Sequence, residues 1–172
     1  MIRRAAGVLA VFSAATAVSV GVAPAGQVAP AADGWRTFAG SWSARGQRQT
    51  VPTEGGRAAG IVHLSGAIVL AKGTELGGGM LAEAVAFDDG RTLSVGRAVW
   101  ADARGDRVFS ELRGEPVATG RRIFGTITGG TGRYDGVVGE YELTWQYVAR
   151  DDDDTIQGRA VDLRGRIRKG AP

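Results

Sequence analysis

From about Gly34 onward, apolar and polar positions alternate with a period of two, and glycine-rich breaks cut the alternation into short runs. The clearest run places Val137, Gly139, Tyr141, Leu143, Trp145 and Tyr147 on one face and Glu140, Glu142, Thr144 and Gln146 on the other. Ile123, Gly125 and Ile127 repeat the pattern one connection earlier. Runs of this kind are half-buried antiparallel strands. The same reading predicts strands over 35–44 (with 47–51 as an extension), 60–71, 80–87, 92–101, 107–113, 122–128, 137–149 and 155–168, and no helix. Asp88-Asp89-Gly90 and Arg104-Gly105-Asp106 are tight hairpin signals, and Asp151 to Asp154 make a more open acidic turn. Short strands joined by consecutive turns describe an all-β barrel or sandwich with up-and-down connections.

The connection between the two strongest strands is more specific than a hairpin requires. Gly129-Gly130-Thr131-Gly132-Arg133-Tyr134-Asp135-Gly136 supplies positions open to positive φ, and the whole run from Ile127 to Gly139 has a fixed order of glycines around one aromatic residue. That order resembles the signature of allene oxide cyclase barrel-like proteins and, more weakly, of plant dirigent proteins. The resemblance covers Ile123 to Tyr147, and the run from Thr155 to Arg168 follows where such a family places its last strand. It implies a closed eight-stranded antiparallel β-barrel, mostly up-and-down, around an apolar cavity. Relatives of that kind are often trimeric, which makes a homo-trimer the implied assembly, and some hold a reactive hydrophobic molecule while it cyclises or couples. The plant cyclases use asparagines, a glutamate and a cysteine on early strands. This chain contains neither Asn nor Cys, so none of that catalytic set transfers.

Residues 1–25 read as a signal peptide: Arg3 and Arg4, an apolar run to Val22, and Ala23-Pro24-Ala25 as a small-x-small cleavage site. Residues 26–33 form a loose leader, and 34–170 the barrel domain. The mature protein is thus expected to be secreted or periplasmic, without stable membrane insertion, since the apolar run is short for a spanning helix. Setting aside Arg3 and Arg4 leaves 19 basic against 18 acidic residues, a net charge near +1. Nucleic acid, which needs clustered cations, therefore drops out as a partner. With no cysteine and one histidine, His63, neither a metal nor a cofactor is expected, and His63 reads as a wall residue.

The candidate chemistry lies in the strands. Glu83 shares parity with Leu81, Val85 and Phe87; if that face is internal, its carboxylate is desolvated and becomes a candidate acid, base or ligand anchor. Alternatively, a bulge or an ion pair with Arg97 takes it outward. Glu111 and Arg113 share a face with Phe109, opposite Val108, Ser110 and Leu112, and parity leaves either face as the inside. Trp100 has the same ambiguity. Tyr141, Trp145 and Tyr147 are the strongest pocket-lining candidates, since aromatic walls grip flat or unsaturated ligands. Ala82, Ala84 and Ala86, on the second face of their strand, suggest a partly covered wall and an oligomer contact. The function expected from these readings is binding of a hydrophobic small molecule by an exported barrel. Its alternatives are a cyclase or isomerase using Glu83 with Glu111 or a pocket tyrosine, and an oligomeric interaction protein with a filled barrel.

Overall fold

The computed structural model describes residues 34–71, 76, 78–150 and 154–170. The expected signal peptide, the leader and Asp151 to Asp153 of the acidic turn lie outside the described residues. Eight strands run in chain order: β1 (Arg36–Thr53), β2 (Arg57–Leu70), β3 (Gly79–Asp88), β4 (Ser94–Ala101), β5 (Arg107–Val117), β6 (Gly120–Gly130), β7 (Val137–Arg150) and β8 (Thr155–Lys169). Each pairs antiparallel with the next, and β1 pairs with β8, so the sheet closes on itself as an up-and-down barrel. Closure gives every strand two partners and leaves no free sheet edge, which matters in a chain without disulfides.

All eight predicted strands are present. The largest difference is β1, which continues without a break to Thr53 because 45–53 pair with 57–65 of β2. Both tight turns form where the sequence places them. Asp89 N–H donates to the Leu93 carbonyl and Asp102 N–H to the Asp106 carbonyl, both at 3.0 Å. Gly105 has φ of +86°, a conformation that L side chains rarely adopt.

Inward-facing residues follow strict alternation: Phe38, Trp42 and Ala44 on β1, Val62, Leu64, Ile68 and Leu70 on β2, and Val137, Tyr141, Leu143 and Trp145 on β7. Several glycines on this inner surface are seats for aromatic rings. An added Cβ at Gly125 would stand 2.1 Å from Tyr141 Cζ, one at Gly158 2.4 Å from Trp145 Cζ2, and one at Gly165 2.5 Å from Phe38 Cζ. The glycine content therefore lets large side chains lie flat against the opposing wall of a narrow barrel.

Candidate functional site

One end of the barrel is filled. There the β2–β3, β4–β5 and β6–β7 connections meet, and Leu76, Val108, Ile127, Tyr134, Val137 and Ile167 are buried together. The glycine-rich connection after β6 is what closes this end. Gly132 sits at φ +56° with Asp106 against it, and the chain turns through a 3-10 segment that drops the Tyr134 ring into the lumen. Asp102 ties the plug to the neighbouring turn. Its carboxylate accepts from the backbone N–H of Arg104 (2.8 Å) and Asp106 (3.1 Å), from Tyr134 Oη–H (3.3 Å) and from the Arg133 guanidinium (2.9 Å). Burial pushes the Asp102 carboxyl upward, but the two backbone donors, Arg133 and Tyr134 together hold it below the usual carboxylate value of 3.8.

The other end is hollow. Trp42, Trp100, Tyr141, Leu143 and Trp145 face Ala82, Ala84 and Ala98 across a cavity of about 80 Å³. A single water needs roughly 10–15 Å³ on the same measure, so the space holds several waters or the body of a small ring. The aromatics form two contacting groups. Trp100 bridges Phe38 (centroids 6.1 Å, edge-to-face) and Tyr141 (4.7 Å), while Trp145 bridges Trp42 (5.1 Å) and Tyr147 (6.2 Å, edge-to-face). Tyr141 is 5% exposed, and its phenol is pushed up to about 12 by burial. Ser110 Oγ is near enough to oppose that shift slightly, without forming a hydrogen bond of good geometry.

The mouth of the cavity carries the interior's charge. Asp88 and Arg121 form an ion pair with side chains only 13% and 16% exposed. β3 and β6 are not neighbours in the sheet, so the pair crosses the lumen as a bar rather than lying along the wall. Asp88 also accepts from Gly90 N–H at 2.8 Å, which fixes its carboxylate from the β3–β4 turn. Asp88, Arg121 and Tyr147 border both the cavity and an outer depression flanked by Arg48 and Arg57, and so stand between the interior and the outside. Among the described residues, two donors at this mouth, Arg121 Nη1 and Trp145 Nε1, are buried without an acceptor.

The sequence candidates divide cleanly. Trp100, Tyr141, Trp145 and Tyr147 line the cavity. Glu83 does not project into it: its residue borders the cavity wall, but Glu83, Leu81, Val85 and Phe87 are exposed while Ala82 and Ala84 are buried, so alternation sends its carboxylate outward. The expectation of a desolvated carboxylate there is corrected. Glu111 and Arg113 are also exposed on the outer face, because Val108, Ser110 and Leu112 take the inside of β5. Arg97 pairs with Glu111 at 2.7 Å, not with Glu83, and both partners are largely solvated. His63 is exposed on the outer wall. The residues missed were Asp88 and Arg121. Asp88 read only as a turn residue, although it shares parity with the inward alanines, and Arg121 shares parity with Ile123, Gly125 and Ile127.

Fold and site together define a small closed antiparallel barrel with an apolar internal cavity and a buried ion pair across its mouth. No protein-family model matches the chain, and no curated protein matches it. Among solved structures it is similar to a pyocyanin demethylase, at 13% identity and a TM-score of 0.36, over 74% of this chain and 99% of that one. A likeness at that level establishes neither family nor chemistry.

Proposed function

We propose that the chain is an exported β-barrel of the allene oxide cyclase/dirigent type that binds a hydrophobic small molecule inside its hollow end. The observation that carries this reading is the inversion on β3: alanines face the lumen where larger residues would fill it, leaving a cavity walled by Trp42, Trp100, Tyr141 and Trp145. A barrel evolved only to pack would close such a space, since interiors are normally filled to crystal-like density. The mature protein, starting near Gly26, is incubated with lipid and polyketide extracts, repurified, and the retained molecules are identified by mass spectrometry. Retention is expected for the wild type and for Glu83→Gln, whose carboxylate faces outward, and loss for Ala84→Leu, which puts three carbons into the space. Retention that is indifferent to Ala84→Leu would remove the cavity from the explanation. The cyclase or isomerase alternative gains nothing from Glu83 or Glu111, because both carboxylates are on the wrong side of the wall.

The interaction reading draws on the outer surface. Ile61, Phe87 and Val95 are direct cross-strand partners over β2, β3 and β4, and with Leu81, Val85 and Val69 they make an outer face rich in exposed apolar side chains, interspersed with His63, Glu83 and Arg97. Its occupant is a second copy of this chain. The adjoining charges, Arg97 and Glu111, are of opposite sign on one face, which suits a surface that meets itself. Light scattering of the mature protein is expected to give an oligomer that Phe87→Glu dissociates; a wild-type monomer at high micromolar concentration would end this reading.

A further inference from the structure

The mouth of the cavity specifies a head group. We infer that the ligand is a neutral, mainly apolar molecule bearing a carbonyl oxygen, and that this oxygen accepts hydrogen bonds from Arg121 Nη1 and Trp145 Nε1. The inference rests on the small-molecule reading above and adds the chemistry of recognition.

Three features lead to it. Arg121 and Trp145 are direct partners in the β6–β7 register, and both side chains take the inner face, so the two donors issue from adjacent points of one wall. Both donors are buried, and neither meets an acceptor among the described residues. Leaving such groups unpaired is unfavourable; the carboxylate beside them, Asp88, is already engaged by Arg121 and by Gly90 N–H, and most of the cavity wall is aromatic or aliphatic, so the missing partner is an oxygen brought in from outside. The indole cannot turn away to find one. Its ring is held on Gly158 and against Trp42 and Tyr147.

Charge then decides which oxygen. Arg121 already spends its positive charge on Asp88, whose carboxylate is fixed by Gly90 N–H. A carboxylate or phosphate entering beside Arg121 would also stand beside Asp88, in a site where like charges are weakly screened. A neutral carbonyl accepts the spare N–H without that repulsion. Ketones, esters, amides, lactones and quinones all present such an oxygen, while hydrocarbons do not. The apolar body would extend past Trp145 toward Trp100 and Ala84.

A matched set of probes tests this on the mature protein: acetophenone; α-methylstyrene, which replaces its C=O by C=CH2; and benzoate, its anionic counterpart. Each is titrated while the indole N–H resonances are followed by NMR, with Trp145 assigned from Trp145→Phe. Acetophenone is expected to bind about tenfold or more tighter than α-methylstyrene, as two donors satisfied in a buried site warrant, and to move the Trp145 indole N–H downfield. Benzoate is expected to bind no better than α-methylstyrene. Trp145→Phe also reshapes the cavity wall, so the readout is a ratio: the affinity for acetophenone relative to α-methylstyrene should fall several-fold in the variant, whatever the change in absolute affinity. Arg121→Leu leaves Asp88 without its ion-pair partner and can fail to fold, so Trp145→Phe is the deciding variant. Equal binding of acetophenone and α-methylstyrene would overturn the carbonyl assignment while leaving the cavity reading intact. A preference for benzoate would overturn neutrality. Binding of none of the three would overturn the cavity reading and this inference with it.

Discussion

Gly125→Ala should be destabilising although alanine is otherwise the better residue in a strand, and the structure fixes why. Gly125 does not occupy the positive-φ region, so no backbone strain attends the change. The difficulty is space: an added Cβ would lie 2.1, 2.3 and 2.5 Å from Cζ, Cε1 and Cε2 of Tyr141, well within the van der Waals envelope of the ring. To reach ordinary contact the ring must shift by about 1.5 Å into Trp100, its neighbour at 4.7 Å. Overpacking of this kind costs about 1–3 kcal/mol. The decisive measurement is the same substitution in a Tyr141→Leu background. Leucine lacks all three clashing atoms, so there Gly125→Ala should be favourable by about 0.5–1 kcal/mol, the ordinary gain of alanine over glycine. The sign of the effect is thus expected to reverse between the two backgrounds. Urea unfolding of the four proteins closes the cycle, with a coupling of about 1.5–4 kcal/mol. A neutral or stabilising Gly125→Ala in the wild type, or additive effects, would show that the tyrosine ring does not rest on that glycine.

Two further expectations concern pH. Burial raises the Tyr141 phenol from 10.0 to about 12, so the folded state favours the protonated form; this contribution is intact below pH 10 and is lost as pH rises from there toward 12. At about 1.4 kcal/mol per unit it amounts to roughly 3 kcal/mol. Between pH 8 and 11 the urea midpoint of the wild type should therefore fall relative to that of Tyr141→Phe, and an identical pH dependence in both would discard the burial argument. Asp102 behaves in the opposite sense. Its carboxyl is depressed, so the ionised form stabilises the plug above about pH 3.8 and that contribution fades as pH falls through the lower folded value. Asp102→Asn should thus be less stable than wild type at pH 6, with a gap that narrows at pH 3; a gap independent of pH would mean that charge has no part in the plug.

Much of the barrel was legible because β7 opposes Glu140, Glu142, Thr144 and Gln146 to Tyr141, Leu143 and Trp145, and β6 repeats the alternation apart from Phe124. Those strands fixed the inside of the lumen and put Tyr141, Trp145 and Tyr147 on the face that lines the cavity. β3 was less legible because neither face is strongly polar, and β5 because Phe109 lies among Arg107, Glu111 and Arg113 while Ser110 interrupts the apolar face. On β3 the larger apolar residues invited the inside assignment, yet Leu81, Val85 and Phe87 face out and the alanines face in. Hydrophobicity alone could not settle the parity. What settles it is register: Ala84 pairs with Leu64 and Ala98, and Asp88 with Ser94, all of them inward. The ion pair was hidden for another reason. Asp88 sits next to a turn sequence and Arg121 just after one, more than thirty positions apart, and only closure of the sheet brings them together across the lumen.

The inverted parity of β3 follows from conservation of volume inside a narrow cylinder. Phe38 and Trp42 from β1, Trp100 from β4, and Tyr141 and Trp145 from β7 all project into the same lumen, and the glycines beneath several of them let the rings lie low without making the barrel wider. Another wall of large residues could not enter that space, so β3 supplies Ala82, Ala84 and Ala86 there and turns its bulk to the outside. One sequence choice therefore has two consequences at once: it leaves the cavity unfilled near the mouth, and it loads the outer face of β2, β3 and β4 with exposed apolar side chains. The pocket and the sticky face are two sides of the same strand. Exchanging them takes two substitutions with separate readouts: Ala84→Leu should fill the cavity, and Val85→Ala should weaken the self-association proposed for the outer face.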